Sequence, residues 1–422
     1  MIKDWIKNID FILVVCVIAL ATIGIVGIYS AGYATDVNKD EYIKQIIFFG
    51  VGMLIIIILQ IIPNSLFELG GYFLYIINLI LLVAVLFTSK IMGASSWFNL
   101  GGILYQPSEL MKIGFVLTFA KLLVGFKKIQ NSQKKNKILM IIALLAKICF
   151  PGSFILPVSL ILLQPDFGTA AVFLVIALFM LFKSGIKYKY ILIGGATLLV
   201  CIPLVYFFLL NDIQQARINV FLDPSLDPLG SGYNAIQSKL AVGSGMLFGT
   251  GILQGVQTQL GYIPIKTSDF IYSVLSEEFG FIMSVLIIIL FAIMIIRIIR
   301  TSKYASDEYF GLVVIGIAGM IFFHFVQNIG MTIGILPITG VPLPFVSYGG
   351  SSLISTLIMF AIIQGLYILR EDEEEDIERR KKERLRAKRS RQENAARYQE
   401  TEYDPQRAKR SQKARKEAAQ GK

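Results

Sequence analysis

Residues 281–296 read FIMSVLIIILFAIMII, and this stretch contains no charged side chain. A hydrocarbon core about 30 Å thick needs roughly 20 apolar residues of helix to cross it. The stretch therefore predicts the centre of a membrane-spanning helix, and similar apolar runs recur along the chain. We expect an all-α polytopic membrane protein with about ten spans, at 11–31, 45–62, 72–88, 108–125, 138–163, 168–184, 189–210, 271–297, 308–334 and 345–369.

The composition of the whole chain agrees with a membrane protein. Of its 422 residues, 55% are hydrophobic and 16% are charged, and the mean hydropathy is +0.67. Soluble domains are typically about 25% charged. The net charge of +11 does not indicate a nucleic-acid partner, because most basic residues lie in short loops beside apolar runs or in the C-terminal tail.

The basic loops predict the orientation of the spans. Lys and Arg are enriched in the cytoplasmic loops of membrane proteins. In a ten-span topology, one side of the membrane receives both termini and the loops that contain Lys3, Lys7, Lys127, Lys128, Lys134, Lys135, Lys137, Lys183, Lys187, Lys189, Arg297, Arg300 and Lys303. We therefore expect both termini in the cytoplasm. We also expect the first apolar run to be a retained span, since it lacks a signal-peptide cleavage motif.

Three segments lie outside the predicted spans. Segments 89–107 and 211–270 are rich in glycine and aromatic residues, and the second is far longer than a tight connection. We expect it to be a structured extracellular loop on the membrane surface before the eighth span. Segment 371–422 is highly charged and cannot bury a core, so a solvated helix or disordered cytoplasmic arm should follow a domain at 1–370. Contact of this arm with anionic lipid or a cytoplasmic partner is the alternative.

Several kinds of site are not indicated by the sequence. A single histidine, His324, argues against a histidine-based metal site. Ser108 and Lys112 lack the spacing of S-x-x-K, and neither S-D-N nor K-T-G occurs, so transpeptidation is not expected. There is also no P-loop and no dinucleotide fingerprint. Three cysteines lie in apolar runs and are interpreted as buried small hydrophobic residues: Cys16, Cys149 and Cys201.

Charged residues at membrane depth are costly and are therefore candidates for function. Glu109 and Lys112 open the fourth span on one helical face and can pair. Such a pair either fixes helix packing or lines a polar cavity that opens outward. Glu277 and Glu278 lie in the eighth span, where they either line a polar interior or are protonated.

Asp269 is the last carboxylate before the eighth span. Two interpretations stay open: the side chain caps the helix, or it acts as a general base near the outer membrane surface. Lys266 either opposes the tuning of that base or binds an anionic substrate. Arg217, Lys239 and Lys266 are basic groups of the kind that a diphosphate needs, with a solvated loop as the alternative. Asp166 is interpreted as a helix cap.

The most specific stretch is residues 334–352, GILPITGVPLPFVSYGGSS, which follows Asn328 and leads into the tenth span. Irregular backbone at membrane depth must be buried in protein or line a polar cavity. Over about residues 10–370 the chain resembles the SEDS family of peptidoglycan glycosyltransferases (shape, elongation, division and sporulation proteins). The other matching motifs are QPSE at 106–109, QPDFGT at 164–169, RI at 217–218, FLDP at 221–224 and TSDFI at 267–271.

The resemblance implies an inverting glycosyltransferase of the bacterial cytoplasmic membrane. Such an enzyme polymerises lipid II into β-1,4-linked glycan at the outer face and releases undecaprenyl diphosphate. Asp269 matches the family's candidate general base, and Glu109 and Lys112 match a polar pair in its central cavity. A divalent cation, Mg²⁺ or Mn²⁺, a class B penicillin-binding protein and the elongation machinery are the implied partners. The residues expected to bind substrate are Glu109, Lys112, Arg217, Lys239, Lys266 and Ser347.

Within the family the chain is more similar to the RodA branch, which serves cell-wall elongation and rod shape, than to FtsW. The similarity rests on Gln259-Leu260-Gly261 and on residues 266–279 and 343–346. A sporulation paralogue is the alternative. Many relatives carry His-Thr where this chain has Thr267-Ser268, and we expect no change in the chemistry. Two other functions stay open, a transporter that flips lipid II and a non-enzymatic scaffold for a penicillin-binding protein.

Overall fold

The computed structural model describes most of the chain, namely residues 9–33, 39–62, 65–89, 94–131, 151–185, 219–303, 307–367 and 405–421, with residues 189, 192, 195, 215 and 305. The chain divides into two compact units, Met1–Tyr367 and Ile368–Lys422. In the second unit, the helix Pro405–Gln420 exposes each of its described side chains. This helix carries many Lys and Arg residues and has no apolar face, which suits a solvated helix.

The first unit is mostly helical. Its helices are α1 Phe11–Tyr33, α2 Glu41–Ile61, α3 Ser65–Val85, α4 Pro107–Asn131, α5 Pro151–Leu163, α6 Phe167–Lys183, α7 Ser231–Ser244, α8 Val256–Gln259, α9 Ile271–Lys303, α10 Glu308–Thr332 and α11 Gly350–Tyr367. The glycine-rich segment before α4 forms a short antiparallel hairpin of β1 Phe98–Leu100 and β2 Ile103–Tyr105. Gly101 and Gly102 both have positive φ at its turn, as a tight hairpin requires.

Within the residues that the structure describes, five helices are long and apolar enough to cross a membrane: α1, α2, α9, α10 and α11. Shorter apolar helices are Leu69–Val85, within α3, and the helices α5 and α6. The protein is therefore a multi-pass membrane protein, as the sequence predicts. Much of the predicted spans 138–163 and 189–210 lies outside the described residues, so the number of ten remains a prediction.

The helices meet at positions that carry glycine. A Cβ atom at Gly24 of α1 would come within 2.3 Å of the Val346 carbonyl oxygen, and one at Gly114 of α4 within 2.8 Å of the Tyr75 backbone nitrogen. Lipid tails are as apolar as the helix surfaces, so helices in membranes gain from close backbone approach at small residues. The core of the bundle surrounds α10, which contacts α4, α6 and α9.

Helix α9 is broken at Gly280, where φ is 77° and ψ is −168°. The loop before α8 supplies the backbone partners that the break leaves open. Thr250 N–H donates to the Glu277 carbonyl at 2.9 Å, and Phe281 N–H donates to the Met246 carbonyl at 2.8 Å. Backbone groups that a helix break leaves open need such partners when they are buried. The sequence interpretation placed residues 271–297 in one span and missed this break, which falls just before the charge-free run 281–296.

A proline-rich segment, residues 333–349, connects α10 to α11, and a second loop, residues 260–270, precedes α9. The two are joined by a hydrogen bond from Tyr348 N–H to the Thr267 carbonyl at 2.9 Å. Both lie at the end of the bundle where α2, α4 and α6 begin, which is called the Asp269 end below. The candidate residues converge there.

Candidate functional site

Asp269 lies in loop 260–270, two residues before α9, and is half-buried. The Ser268 hydroxyl donates to Asp269 Oδ1 at 3.1 Å. Asp269 Oδ2 faces Gly340, where an added Cβ would lie 3.4 Å away. Among the described residues, no backbone N–H of α9 donates to this carboxylate, so Asp269 does not cap the helix.

The environment of Asp269 makes it a better base than an exposed carboxylate. Burial raises the pKa of Asp269 to about 6, and the negative charge of Asp166 acts in the same direction, while the hydrogen bond from Ser268 lowers the pKa. A free Asp titrates near a pKa of about 3.9. A carboxylate with a pKa of about 6 is mostly ionised at neutral pH and can still hold a proton well, which suits general-base catalysis.

The proline-rich segment holds loop 260–270 in place through Ser347. The Ser347 hydroxyl donates to the Ser268 carbonyl at 2.6 Å and accepts from the Leu343 N–H at 2.8 Å. Asn328 of α10 adds a second link, since its amide donates both to the Asp269 carbonyl and to the Val341 carbonyl at 2.9 Å. Ser347, expected to bind substrate, therefore serves as a bridge beside the proposed base.

Gln45 of α2 is a buried residue that the sequence interpretation missed. Its side-chain amide donates to the Ser347 carbonyl at 3.0 Å, and its Oε1 accepts from the Gly349 N–H at 3.4 Å. One side chain thus pairs with two backbone groups of the proline-rich segment. A glutamine at the start of the predicted span 45–62 was the available signal, because a buried amide needs partners.

Glu109 and Lys112 form the ion pair that their spacing predicts, with Lys112 Nζ 2.8 Å from Glu109 Oε2. Both side chains are almost fully buried. The Ser355 hydroxyl of α11 donates to Glu109 Oε2 at 2.9 Å. Lys112 Nζ also lies 3.3 Å from His324 Nε2 of α10. The pair therefore ties together α4, α10 and α11.

Asp166 caps α6, as the sequence predicts. Its Oδ1 accepts from the Thr169 N–H at 3.0 Å, and its Oδ2 accepts from the Thr169 hydroxyl at 2.8 Å and the Gln106 amide at 3.0 Å. The carboxylate also interacts electrostatically with Glu109 and Asp269. Asp166 therefore connects the buried ion pair and the candidate base within a single polar site.

Of the three basic loop residues that were expected to bind a diphosphate, the structure describes two, and these are not equally exposed. Lys266 is buried, and its ammonium donates to the Thr258 carbonyl at 2.8 Å. This burial lowers the pKa of Lys266. Lys239 is exposed on α7, with its side chain beside Gly334 of the proline-rich segment. Arg217 lies outside the described residues.

Glu277 and Glu278 line a polar interior, which was one of the two interpretations of these residues. Glu277 accepts from the backbone N–H groups of Gln257 at 2.8 Å and Thr258 at 2.9 Å, and so holds the short helix α8. Glu278 accepts from the Ser30 hydroxyl at 2.6 Å. The two carboxylates join the loop before α9 to the body of the bundle.

No group of three or more His, Cys, Asp or Glu side chains that could hold a metal ion occurs among the described residues. A protein cage for a cation is therefore not part of this region. Mg²⁺ is usually held by one or two carboxylates together with substrate phosphates and water.

Comparisons with known proteins give a consistent result. A family model described as cell cycle protein, FTSW_RODA_SPOVE, matches residues 10–371. The chain is 36% identical over 363 residues to peptidoglycan glycosyltransferase MrdB of Escherichia coli (strain K12), covering 85% of this chain and 94% of that relative. It is 30% identical over 435 residues to peptidoglycan glycosyltransferase RodA of Treponema pallidum (strain Nichols), covering 86% and 98%.

A solved structure shares the fold. It is described as "Structural coordination of polymerization and crosslinking by a peptidoglycan synthase complex", and one of its chains is 29% identical to this one with a TM-score of 0.69. The similarity covers 86% of this chain and 98% of that chain. A match over most of the membrane unit, supported by relatives above 30% identity, shows that this chain belongs to the FTSW_RODA_SPOVE family of cell cycle proteins.

Proposed function

We propose that this chain is a peptidoglycan glycosyltransferase that polymerises lipid II into β-1,4-linked glycan and releases undecaprenyl diphosphate. The observation that carries the proposal is Asp269. It is a half-buried carboxylate whose pKa is raised to about 6 by burial and by the charge of Asp166, and whose Oδ2 faces Gly340 rather than a helix N-terminus. The names of the similar proteins MrdB and RodA support the same activity.

In the proposed reaction, Asp269 takes the proton from the acceptor sugar hydroxyl as that oxygen attacks the anomeric carbon of the donor. The bond from this carbon to the diphosphate breaks, and the diphosphate leaves with the bonding electrons. Because the attack comes from the face opposite the leaving group, an α-linked donor gives a β-glycoside without a covalent enzyme intermediate. Asp269 ends the step protonated and returns its proton to water.

A divalent cation, Mg²⁺ or Mn²⁺, is proposed at the diphosphate, where it would neutralise the charge of the leaving group. The diphosphate and water would supply most of its ligands, in keeping with how Mg²⁺ is usually bound, and Asp269 would stay free to act as the base. Exposed Lys239, together with Arg217, is proposed to contact the diphosphate. Lys266 is buried and donates to the Thr258 carbonyl, and its expected contact with substrate stays a prediction.

The proposed setting is the cytoplasmic membrane of a bacterium, with both termini in the cytoplasm and the Asp269 end facing outward. A lipid-linked substrate can then reach the site sideways from the outer leaflet. A class B penicillin-binding protein and the elongation machinery are the proposed partners, supported by the likeness to a chain of a peptidoglycan synthase complex. Cell-wall elongation is the proposed role, rather than division or sporulation.

Polymerisation of lipid II by the purified full chain tests the proposal. The assay contains Mg²⁺ or Mn²⁺, with and without the class B penicillin-binding protein, and compares wild type with Asp269→Asn. Asn keeps the size of the side chain but cannot accept the proton. Asp223→Asn is the matched control, because Asp223 is an exposed carboxylate that caps a short 3-10 helix, Pro224–Leu226, and is not among the groups that shift the pKa of Asp269.

We expect glycan from wild type and from Asp223→Asn, and none from a correctly folded Asp269→Asn. Equal product from both variants would leave an enzyme but exclude Asp269 as its base. An inactive wild type, with the partner present, would contradict the proposed activity and favour a lipid II flippase or a scaffold. Transport of lipid II by the same protein would then separate those two functions.

A further inference from the structure

Three side chains on one face of α10 bind successive parts of the proline-rich segment. Gln327 Nε2 donates to the Pro337 carbonyl at 2.8 Å, and Asn328 Nδ2 donates to the Val341 carbonyl at 2.9 Å. His324 Nδ1 lies 2.9 Å from the Pro342 carbonyl oxygen. His324 and Asn328 are one helical turn apart, so they share a face. Helix α10 therefore holds this segment through hydrogen bonds to the backbone carbonyl groups of the segment.

The partners of His324 determine its tautomer. A carbonyl oxygen can only accept a hydrogen bond, so Nδ1 of His324 must carry the proton that it shares with Pro342. Nε2 then presents a lone pair to Lys112 Nζ, which lies 3.3 Å away and can only donate. The imidazole is therefore neutral and protonated at Nδ1. His324 is 3% exposed, so water cannot easily replace either partner.

These contacts form one continuous chain of hydrogen bonds. It begins at Ser355 and Glu109, passes through Lys112 to His324, and reaches the backbone at Pro342. The neighbouring residue Val341 is bound by the same Asn328 amide that also holds the Asp269 carbonyl, and Gly340 faces Asp269 Oδ2. The ion pair and Asp269 are thus linked to adjacent residues of one backbone segment.

We propose that His324 is a positioning residue that couples the buried Glu109–Lys112 pair to the backbone facing Asp269. It acts only as the neutral Nδ1–H tautomer, because only that form can donate to Pro342 and accept from Lys112 at once. The kinetic consequence rests on the proposed function: His324 sets the geometry of the base and does not touch the substrate.

The first test uses the fact that the chain contains one histidine. Labelling with [¹⁵N]histidine gives NMR signals from the side chain of His324 alone, in the full-length protein in detergent micelles or nanodiscs. We expect one protonated nitrogen, Nδ1, and one unprotonated nitrogen, Nε2. Observation of the Nε2–H tautomer would overturn the proposal.

Coupling to the ion pair is tested by removing both of its charges at once in Glu109→Gln/Lys112→Met, which avoids leaving one buried charge without a partner. We expect the Nε2 signal of His324 to move. The matched control is Lys127→Met/Glu308→Gln, because Lys127 and Glu308 also form an ion pair between α4 and α10. This control should leave the His324 signals in place. An unchanged Nε2 signal in the first variant would contradict the coupling.

The kinetic test compares His324→Phe with His324→Asn. Phe removes both contacts, whereas the Asn amide can still donate to the Pro342 carbonyl. We expect Phe to lower kcat about 10- to 100-fold, as a misplaced base would, with KM for lipid II changed less than about twofold. Asn should recover part of kcat. An unchanged kcat in a folded His324→Phe, or a loss confined to KM, would overturn the proposal.

The NMR experiments and the kinetic test together separate this proposal from the proposed function. The NMR experiment needs no substrate, so it decides the tautomer and the coupling even if wild type fails to polymerise lipid II. An inactive wild type with the expected His324 signals would refute the proposed activity and leave the structural coupling supported. An active wild type with the Nε2–H tautomer would support the proposed activity and refute the structural coupling. Thermal melting of each variant in detergent identifies any that fails to fold.

Discussion

At Asp269, burial and the negative charge of Asp166 both disfavour ionisation and raise the pKa to about 6. Two side chains hold the surrounding backbone in place, since Ser347 donates to the Ser268 carbonyl and Asn328 donates to the Asp269 carbonyl. Among the described residues, the carboxylate itself accepts a hydrogen bond from the Ser268 hydroxyl. A group held in this way can exchange a proton without disturbing the structure that positions it.

The raised pKa predicts a pH dependence of the proposed reaction. Asp269 must be ionised to act as the base, so kcat/KM should be constant above about pH 7. It should fall about tenfold per pH unit below pH 6, the value to which the pKa is raised. Rates of lipid II polymerisation between pH 4.5 and 8.5, approximately, check this. A profile that stays flat through pH 6 would argue against Asp269 as the base.

Asp166→Asn should move that profile to lower pH. The negative charge of Asp166 raises the pKa of Asp269, so removal of this charge lowers the pKa and leaves Asp269 ionised in more acidic buffer. Asn is also a good helix cap, so α6 should persist. The comparison is with Asp223→Asn, whose profile should match that of wild type. A shift towards higher pH would contradict the electrostatic argument.

At the scale of elements, contacts between helices depend on single glycines. The backbones of α3 and α4 approach so closely at Gly114 that an added Cβ would lie 2.8 Å from the Tyr75 nitrogen and 2.9 Å from its Cα. Neither atom can move without displacing α3. Gly125, on the same helix, has no atom within 4 Å of an added Cβ. A methyl group at Gly114 would therefore clash with α3, whereas a methyl group at Gly125 would meet no neighbouring atom.

Gly114→Ala should lower the free energy of unfolding by about 1–3 kcal/mol, the usual cost of inserting a methyl group into a filled contact. Gly125→Ala should be neutral or stabilising by up to about 1 kcal/mol, because Ala favours the helix. Thermal melting of both variants in the same detergent measures the difference. Equal melting temperatures would show that α3 and α4 are not in close contact at Gly114.

At the scale of the whole molecule, residues 240–265 form a 26-residue stretch without a charged side chain. Large apolar side chains are exposed along it, with Met246 at 79% and Phe248 at 75%. The stretch binds α9 at the break beside Gly280. Counting from Gly280 to Arg300 gives about 30 Å of helix, the thickness of a hydrocarbon core. The exposed side chains thus lie at the level of one membrane surface.

We therefore predict that Phe248 inserts into the lipid. In a background with both native tryptophans replaced by Phe, Phe248→Trp in vesicles containing brominated phospholipid should be strongly quenched. Leu229→Trp is the control, because Leu229 is 94% exposed but lies near Asp223 and Asp227 in a charged part of the loop. The aqueous quencher acrylamide should show the opposite order. Equal accessibility of the two tryptophans to acrylamide would place Phe248 in water.

The sequence alone could predict features that depend on local composition and spacing. Apolar runs determine membrane helices because hydrocarbon excludes charge, so α1, α9, α10 and α11 lie close to their predicted positions. Spacing three residues apart on a helix was enough to predict the Glu109–Lys112 pair, and residue preference was enough for the Asp166 cap. The motif-rich stretch 334–352 also identified the family.

The tertiary structure decided which distant groups meet. The break at Gly280 depends on loop residues such as Thr250 and Met246 that supply its hydrogen bonds, and no local pattern encodes that pairing. Lys266 donates to the Thr258 carbonyl, a contact that no local pattern in the sequence indicates. The Gln45 partner Ser347 and the His324 partner Lys112 both lie far away along the chain. Their roles follow from packing across helices, because a buried polar group must find its hydrogen bonds wherever the fold provides them.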